Sequence, residues 1–270
     1  MNHHKVATGL LTTTLPTRDR IVILSALAGV TGLAWAYLVN ISAHTETMAH
    51  ARVETVLQLV PWTLTDFIFM GLMWGIMMVG MMLPSAAPLI LVHAAVVRKA
   101  AGDGVRLAPT VVFTSGYLVI WTSFSVGATM VQWALHQAAL LSPMMETTGV
   151  GLGAGILITA GMYQLTPWKE TCLDHCRSPA HFISQHWKTG LLGAFRMGLG
   201  HGMYCLGCCW ALMGLLFLGG VMNLLWIAGI ALFVFIEKVF PVGFRGRRLA
   251  GWMMILAGGG MLVAWLKEIN

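Results

Sequence analysis

Six long stretches without a charged residue dominate this chain of 270 residues. They are Ile21–Ala43, Phe67–Val97, Leu107–Leu135, Thr147–Trp168, Met197–Ile236 and Leu249–Leu266. A helix needs about 20 apolar residues to cross the hydrocarbon core of a membrane, and each stretch approaches or exceeds that length. Only 10% of the residues are charged, which is too few to cover the surface of a soluble domain. The sequence therefore predicts an all-α, polytopic integral membrane helix bundle whose main partner is the lipid bilayer.

Two of the stretches are too long for a single simple span. Gly219, Gly220 and Asn223 interrupt the fifth stretch and favour a tight hairpin between two spans. Pro84 and Pro88 interrupt the second, so we expect a crossing over residues 66–83 followed by a kinked extension toward a surface. The prediction is one transmembrane domain over residues 1–270, with about seven spans at 21–41, 66–83, 109–135, 149–167, 200–219, 222–240 and 249–266.

The Lys and Arg residues alternate between the predicted connections. The N-terminal segment and the second, fourth and sixth connections hold 14 of the 16, whereas the opposite side holds only Arg52 and Lys267. Because Lys and Arg collect on the cytoplasmic side of membrane proteins, the N-terminus is predicted inside and the C-terminus outside. The net charge of +6 is explained by this asymmetry, so no nucleic-acid partner is expected.

All the cysteines lie on the predicted cytoplasmic side or just inside the membrane from it. Thiols stay reduced in the cytosol, which favours metal binding or redox chemistry over a structural disulfide. His201 and Cys205 are four residues apart and share a helix face, and their soft donors suit Cu(I) or Zn. One straight helix cannot surround an ion, so we expect its ligands to be completed from the fourth connection. The predicted metal ligands are Cys172, Cys176, His201, Cys205, Cys208 and Cys209; the alternative for each cysteine is simple packing.

A second set of donors follows one face of the second span. Asp66, Met70, Met73, Met77 and Met81 recur at helical spacing and form a candidate pathway for a thiophilic ion. The alternatives are that the methionines fill the core and that Asp66 caps a helix in water.

Glu237 and Lys238 are adjacent near the predicted cytoplasmic end of the sixth span, where an interfacial ion pair is expected.

Several short motifs resemble those of a known bacterial family. They are Met77-Met78 with Met81-Met82-Leu83-Pro84, the segment Cys172–Pro179, Cys205-Leu206-Gly207-Cys208-Cys209-Trp210, and Glu237-Lys238. The chain resembles, from Asp66 to Leu266, the domain-of-unknown-function family labelled predicted metal-binding integral membrane proteins, some members of which are labelled copper chaperones. The resemblance implies a membrane metal-binding role. We expect a multi-pass protein of the bacterial inner (plasma) membrane.

Two classes of function remain open from the sequence. In the first, the protein handles a soft metal ion, with copper favoured and zinc or iron as alternatives, by transport or by delivery to a metalloenzyme or metallochaperone. In the second, it is a membrane thiol oxidoreductase that couples paired cysteines to a quinone or haem. The chain has no C-x-x-C-H haem motif and no phosphate-binding loop, so we favour a non-enzymatic metal handler. A homo-oligomer is compatible with either function.

Overall fold

A computed structural model describes residues 15–52, 62–101, 107–140, 149–240 and 244–269, and every regular element in these ranges is a helix. The all-α prediction is therefore confirmed for the described residues. In chain order the helices are α1 (Thr17–Arg52), α2 (Leu64–Ala101), α3 (Ala108–Gln137), α4 (Val150–Gln164), α5 (Pro167–Arg177), α6 (Pro179–His186), α7 (Gly190–Gly214), α8 (Leu216–Gly219), α9 (Leu224–Val239) and α10 (Phe244–Ile269).

Within the described ranges, five helical segments are long and apolar enough to cross a membrane. They are Thr17–Ala43, Leu64–Ala100, Ala108–Gln137, Gly190–Gly219 and Gly246–Lys267. The other two predicted spans coincide with α4, of 15 residues, and α9, of 16 residues. At 1.5 Å per residue these helices are about 22–24 Å long, shorter than a hydrocarbon core of about 30 Å. The structure thus supports a membrane helix bundle, whereas seven crossings and their orientation stay predictions.

Helix α2 continues through both of its prolines. Pro84 cannot donate a hydrogen bond to the carbonyl of Gly80, but the indole Nε1 of Trp35 in α1 donates to that oxygen at 3.3 Å. Beyond Leu83, Leu89 and Ile90 are buried in the core. Neighbouring helices therefore cover the part of α2 beyond Leu83, and a distant side chain binds the freed carbonyl. The crossing at 66–83 and the kinked extension after it stay predictions.

A tight turn joins α8 and α9 at the glycines and asparagine where the sequence predicted one. Gly220 has φ +89°, a left-handed conformation that favours glycine. Asn223 caps α9 by accepting a hydrogen bond from the backbone N–H of Trp226 at 3.2 Å. The Trp226 indole in turn donates to the carbonyl of Leu215 at 2.7 Å, which holds α9 against the end of α7.

Three glycines allow α3 and α7 to pack almost backbone to backbone. A Cβ atom at Gly198 would overlap the carbonyl oxygen of Phe113, and one at Gly116 would overlap that of Phe195. At Gly202 it would lie 2.8 Å from the Cβ of Ile120. Small residues four apart are a usual means of close helix packing in membranes. The contact brings the α3 side chains opposite the cysteines of α7.

We expect Gly198→Ala to destabilise the bundle by about 1–3 kcal/mol, because its methyl group meets backbone that cannot move aside. Gly200→Ala on the same helix is the matched control, since its added Cβ would meet no neighbouring element within 4 Å in the described part of the chain. Thermal unfolding in detergent measures both. Equal unfolding temperatures for the two variants would contradict the close packing of α3 and α7.

Candidate metal centre

The cysteines lie on two helices that pack against each other. Thr166 caps α5 by accepting from the Lys169 N–H at 3.3 Å, and Pro167 fits the first turn, so Cys172 and Cys176 share a face of a regular helix. The cysteines of α7, Cys205, Cys208 and Cys209, are buried, with about 1% exposure each, whereas those of α5 are partly buried. All these thiols are free.

Cys176 connects the two helices. Its side chain packs against the core that contains the α7 thiols. Interaction with Cys205 and Cys208, followed by burial, raises the pKa of Cys176 well above its usual value. The thiols of Cys208 and Cys209 donate to the backbone carbonyl of Cys205 at 3.0 and 2.9 Å. We call Cys176, Cys205, Cys208 and Cys209 the thiol cluster.

Cys172 occupies a different position, beside the cluster. Its sulfur lies over Gly207, where an added Cβ would be 2.8 Å from Sγ. Burial, followed by the charge of Cys208, raises the pKa of Cys172. Of the two α5 cysteines, Cys176 is therefore the one that packs directly on the α7 thiols.

The thiol cluster is not arranged as a finished coordination sphere. Among the described residues, no three His, Cys, Asp or Glu side chains are placed to hold one metal ion. The sulfurs of Cys208 and Cys209 point instead to a backbone carbonyl. To bind an ion through these sulfurs, both side chains would have to turn away from that carbonyl.

A buried lysine and a tyrosine complete the surroundings of Cys205. The Nζ atom of Lys238 lies 2.9 Å from the Cys205 sulfur and 3.9 Å from that of Cys209. The hydroxyl of Tyr117 lies 3.1 Å from the same Cys205 sulfur. Sequence analysis did not assign either residue to the site, although an ammonium ion inside an apolar helix signals a polar partner elsewhere in the bundle.

The expected Glu237–Lys238 ion pair is wrong. Neighbouring residues of a helix point about 100° apart, so Glu237 pairs instead with Lys169 of α5, with 2.8 Å between Nζ and Oε2. Gln164 hydrogen-bonds to both members of this pair, and the side chains of all three are almost completely buried. The ion pair fixes α5 against α9 and leaves Lys238 to face the thiol cluster.

His201 lies one helical turn before Cys205, as the spacing predicted. Its side chain is buried, and its ring stacks on Tyr117 with 5.4 Å between centroids. None of the residues that the structure describes makes a hydrogen bond to its Nδ1 atom. A buried polar atom without a partner is costly, and this nitrogen is a candidate metal ligand.

The methionines of the predicted pathway lie mainly in the core. Met73, Met77 and Met81 are buried, and Met70 is partly buried. Met82, which lies beside that stripe, has its sulfur 3.8 Å from Lys238 Nζ. These contacts fit the packing interpretation, and a pathway role stays a prediction.

Asp66 is exposed at the start of α2 and accepts hydrogen bonds from the backbone N–H and hydroxyl of Thr63, each at 2.7 Å. These are the contacts of a helix cap in water, the alternative to a pathway role.

The fold and the site together define a membrane-type helix bundle with a buried cluster of soft sulfur donors. A family model described as a copper chaperone, PpoB2, matches residues 71–261, and the chain belongs to this family. The match confirms the predicted resemblance to a family with members labelled copper chaperones, and it supports copper handling. The thiol cluster, Tyr117 and Lys238 all fall inside the matched range, whereas Asp66 and Met70 precede it. No curated protein and no solved structure matches the chain.

We expect Lys169→Met to destabilise the protein by about 3–5 kcal/mol, because Glu237 would stay buried without its counter-charge. Adding Glu237→Gln should restore most of the loss, since no unpaired charge then remains. Lys188→Met, at an exposed position, is the control and should change stability by less than about 0.5 kcal/mol. A double variant as unstable as Lys169→Met alone would contradict this role of the ion pair.

Proposed function

We propose that this protein carries copper as Cu(I) on the thiol cluster and delivers it to a metalloenzyme or a metallochaperone. The observation that supports this most is the meeting of four thiols from two helices beside a buried ammonium ion, in a member of the copper chaperone family. Thiolates are soft ligands and select Cu(I) over hard cations. Zinc and iron are the alternatives to copper, and His201 is the candidate for a further ligand.

The positive charge of Lys238 suits a Cu(I) site made of thiolates. Cu(I) bound by two thiolates has a net charge of −1, which is costly in an apolar bundle. An ammonium ion 2.9 Å from the Cys205 sulfur compensates that charge.

Copper binding would be coupled to proton release. Because the pKa of Cys176 is raised, this thiol holds its proton at neutral pH and must lose it to become a ligand. The cluster is thus expected to bind Cu(I) less tightly as the pH falls. Reversible ligation of this kind suits delivery by exchange with the thiols of a recipient.

The single most useful test compares the two cysteines of α5. We expect Cys176→Ser to weaken Cu(I) binding at least tenfold, because this residue contacts the α7 thiols. Cys172→Ser is the matched control, one turn away on the same helix, and should change affinity less than about threefold. Anaerobic competition with a Cu(I) chelator measures both. Equal affinities in the two variants would contradict the cluster as defined here.

The same titration should show that Lys238→Met weakens Cu(I) binding while one ion still binds.

The thiol oxidoreductase alternative is favoured by one observation, the contact of Cys176 with Cys205, which could form a disulfide. Rapid thiol oxidation by a quinone, with no copper bound by the wild-type protein, would support that alternative.

We also propose that α4 and α9 cross the membrane with the five longer segments, so that the protein spans the bacterial inner membrane seven times. The 14-to-2 division of basic residues supports an N-terminus in the cytoplasm and a C-terminus outside. A homo-oligomer is compatible with this arrangement.

Reporter fusions test the orientation. Fusions at Ala101, Ser178 and Arg245 should read as cytoplasmic, and fusions at His50 and after Asn270 as external. An external signal at Ser178 would overturn both the orientation and the reducing environment assumed for the thiols of α5.

A further inference from the structure

Two histidines lie next to the thiol cluster without belonging to it. His175 is on α5 and His186 is the last residue of α6, and both are partly exposed. Aromatic rings hold each of them in place. His175 stacks on Tyr204 of α7, with 4.2 Å between centroids and 4° between planes, and His186 stacks on Phe182 at 4.7 Å.

Backbone contacts fix which nitrogen of each ring carries the proton. The Nδ1 atom of His175 lies 2.8 Å from the carbonyl of Thr171, and that of His186 lies 3.1 Å from the carbonyl of Phe182. A carbonyl only accepts hydrogen bonds, so Nδ1 is the donor in both rings. In the neutral imidazole the lone pair is then on Nε2. Donation of one ring nitrogen to a backbone carbonyl is the usual state of a metal-binding histidine.

The separation of the two rings suits one metal ion between them. Their centroids are 6.3 Å apart. A ring nitrogen lies about 1 Å from its centroid and binds a metal at about 2 Å, so two imidazoles in line on one ion are about 6 Å apart. Cu(I) is a soft ion that imidazole nitrogens also bind.

The histidine pair lies beside cysteines of both α5 and α7. His175 directly precedes Cys176 in α5, and Tyr204, on which it stacks, directly precedes Cys205 in α7. The pair is also more exposed than the α7 thiols. An ion held between the imidazoles would therefore be at the solvent side of the thiol cluster.

We propose that His175 and His186 form a second metal site, which takes up Cu(I) from solution through the two Nε2 atoms and passes it to the thiol cluster. Binding at the pair does not depend on the proposed function; the transfer step rests on it. In that step two Cu–N bonds break and Cu–S bonds form, copper stays Cu(I), and the ligating thiols release their protons to water. No oxidant or reductant takes part.

The first experiment removes the thiols. In a variant with all cysteines replaced by Ser, anaerobic titration with Cu(I) against a weak chelator should show one bound ion. Adding His175→Gln and His186→Gln should weaken that binding at least tenfold. His181→Gln is the matched control, an exposed histidine on the same short helix as His186, and should have no effect. Equal binding by the double variant and the control would overturn the proposal.

The second experiment keeps the cysteines and so does not depend on the folding of the first variant. Stopped-flow transfer of Cu(I) from a chelator to the protein should slow at least tenfold in the double histidine variant, while the final copper content stays the same. Normal loading of the double variant would overturn this inference and leave the proposed function standing. Copper binding that needs the histidines but not Cys176 would support the inference and overturn the proposed thiol site.

Discussion

The contact between Lys238 and the thiol cluster is the interaction that gives this helix bundle its chemistry. An ammonium ion buried in an apolar interior needs polar or anionic neighbours, and Lys238 has them in the sulfurs of Cys205 and Cys209 and the hydroxyl of Ser85 at 3.3 Å. The adjacent Glu237 does not compensate its charge, because it faces Lys169. Because Glu237 is paired with Lys169, Lys238 is left to contact the thiols of α7.

Close packing of the helix backbones brings side chains from several helices to the same sulfur. The glycines of α7 allow α3 to approach until Tyr117 reaches Cys205, and α5 carries Cys176 to the same sulfur. Helices without small residues are separated by their side chains by about 8–10 Å between axes, which would leave these groups apart. The family match to a copper chaperone supports copper handling, and the sulfur donors are of the soft kind that suits Cu(I).

Local features of the structure could be predicted from the sequence, and features that depend on distant partners could not. The hairpin at Gly219, Gly220 and Asn223 was predictable because a turn depends on the conformations its own residues allow. The continuity of α2 through Pro84 was not, since the carbonyl of Gly80 that Pro84 leaves free is bound by the indole of Trp35, 45 residues before Gly80 in the chain. The partner of Lys238 was also missed, because adjacency to Glu237 in sequence does not mean contact on a helix. The grouping of the cysteines on two helices was foreseeable from helical spacing, but the difference between Cys172 and Cys176 depends on how α5 rests on α7.

X-ray absorption at the copper edge, on protein loaded anaerobically with one Cu(I), tests the central claim most directly. A sulfur-bound ion should show a first shell of two or more sulfur atoms, at a longer bond length than a shell of nitrogen or oxygen. A nitrogen ligand from His201 would add a minor scatterer at about 2.0 Å without removing the sulfur shell. A first shell made only of nitrogen and oxygen, in protein whose thiols are reduced, would contradict the thiol cluster as the copper site.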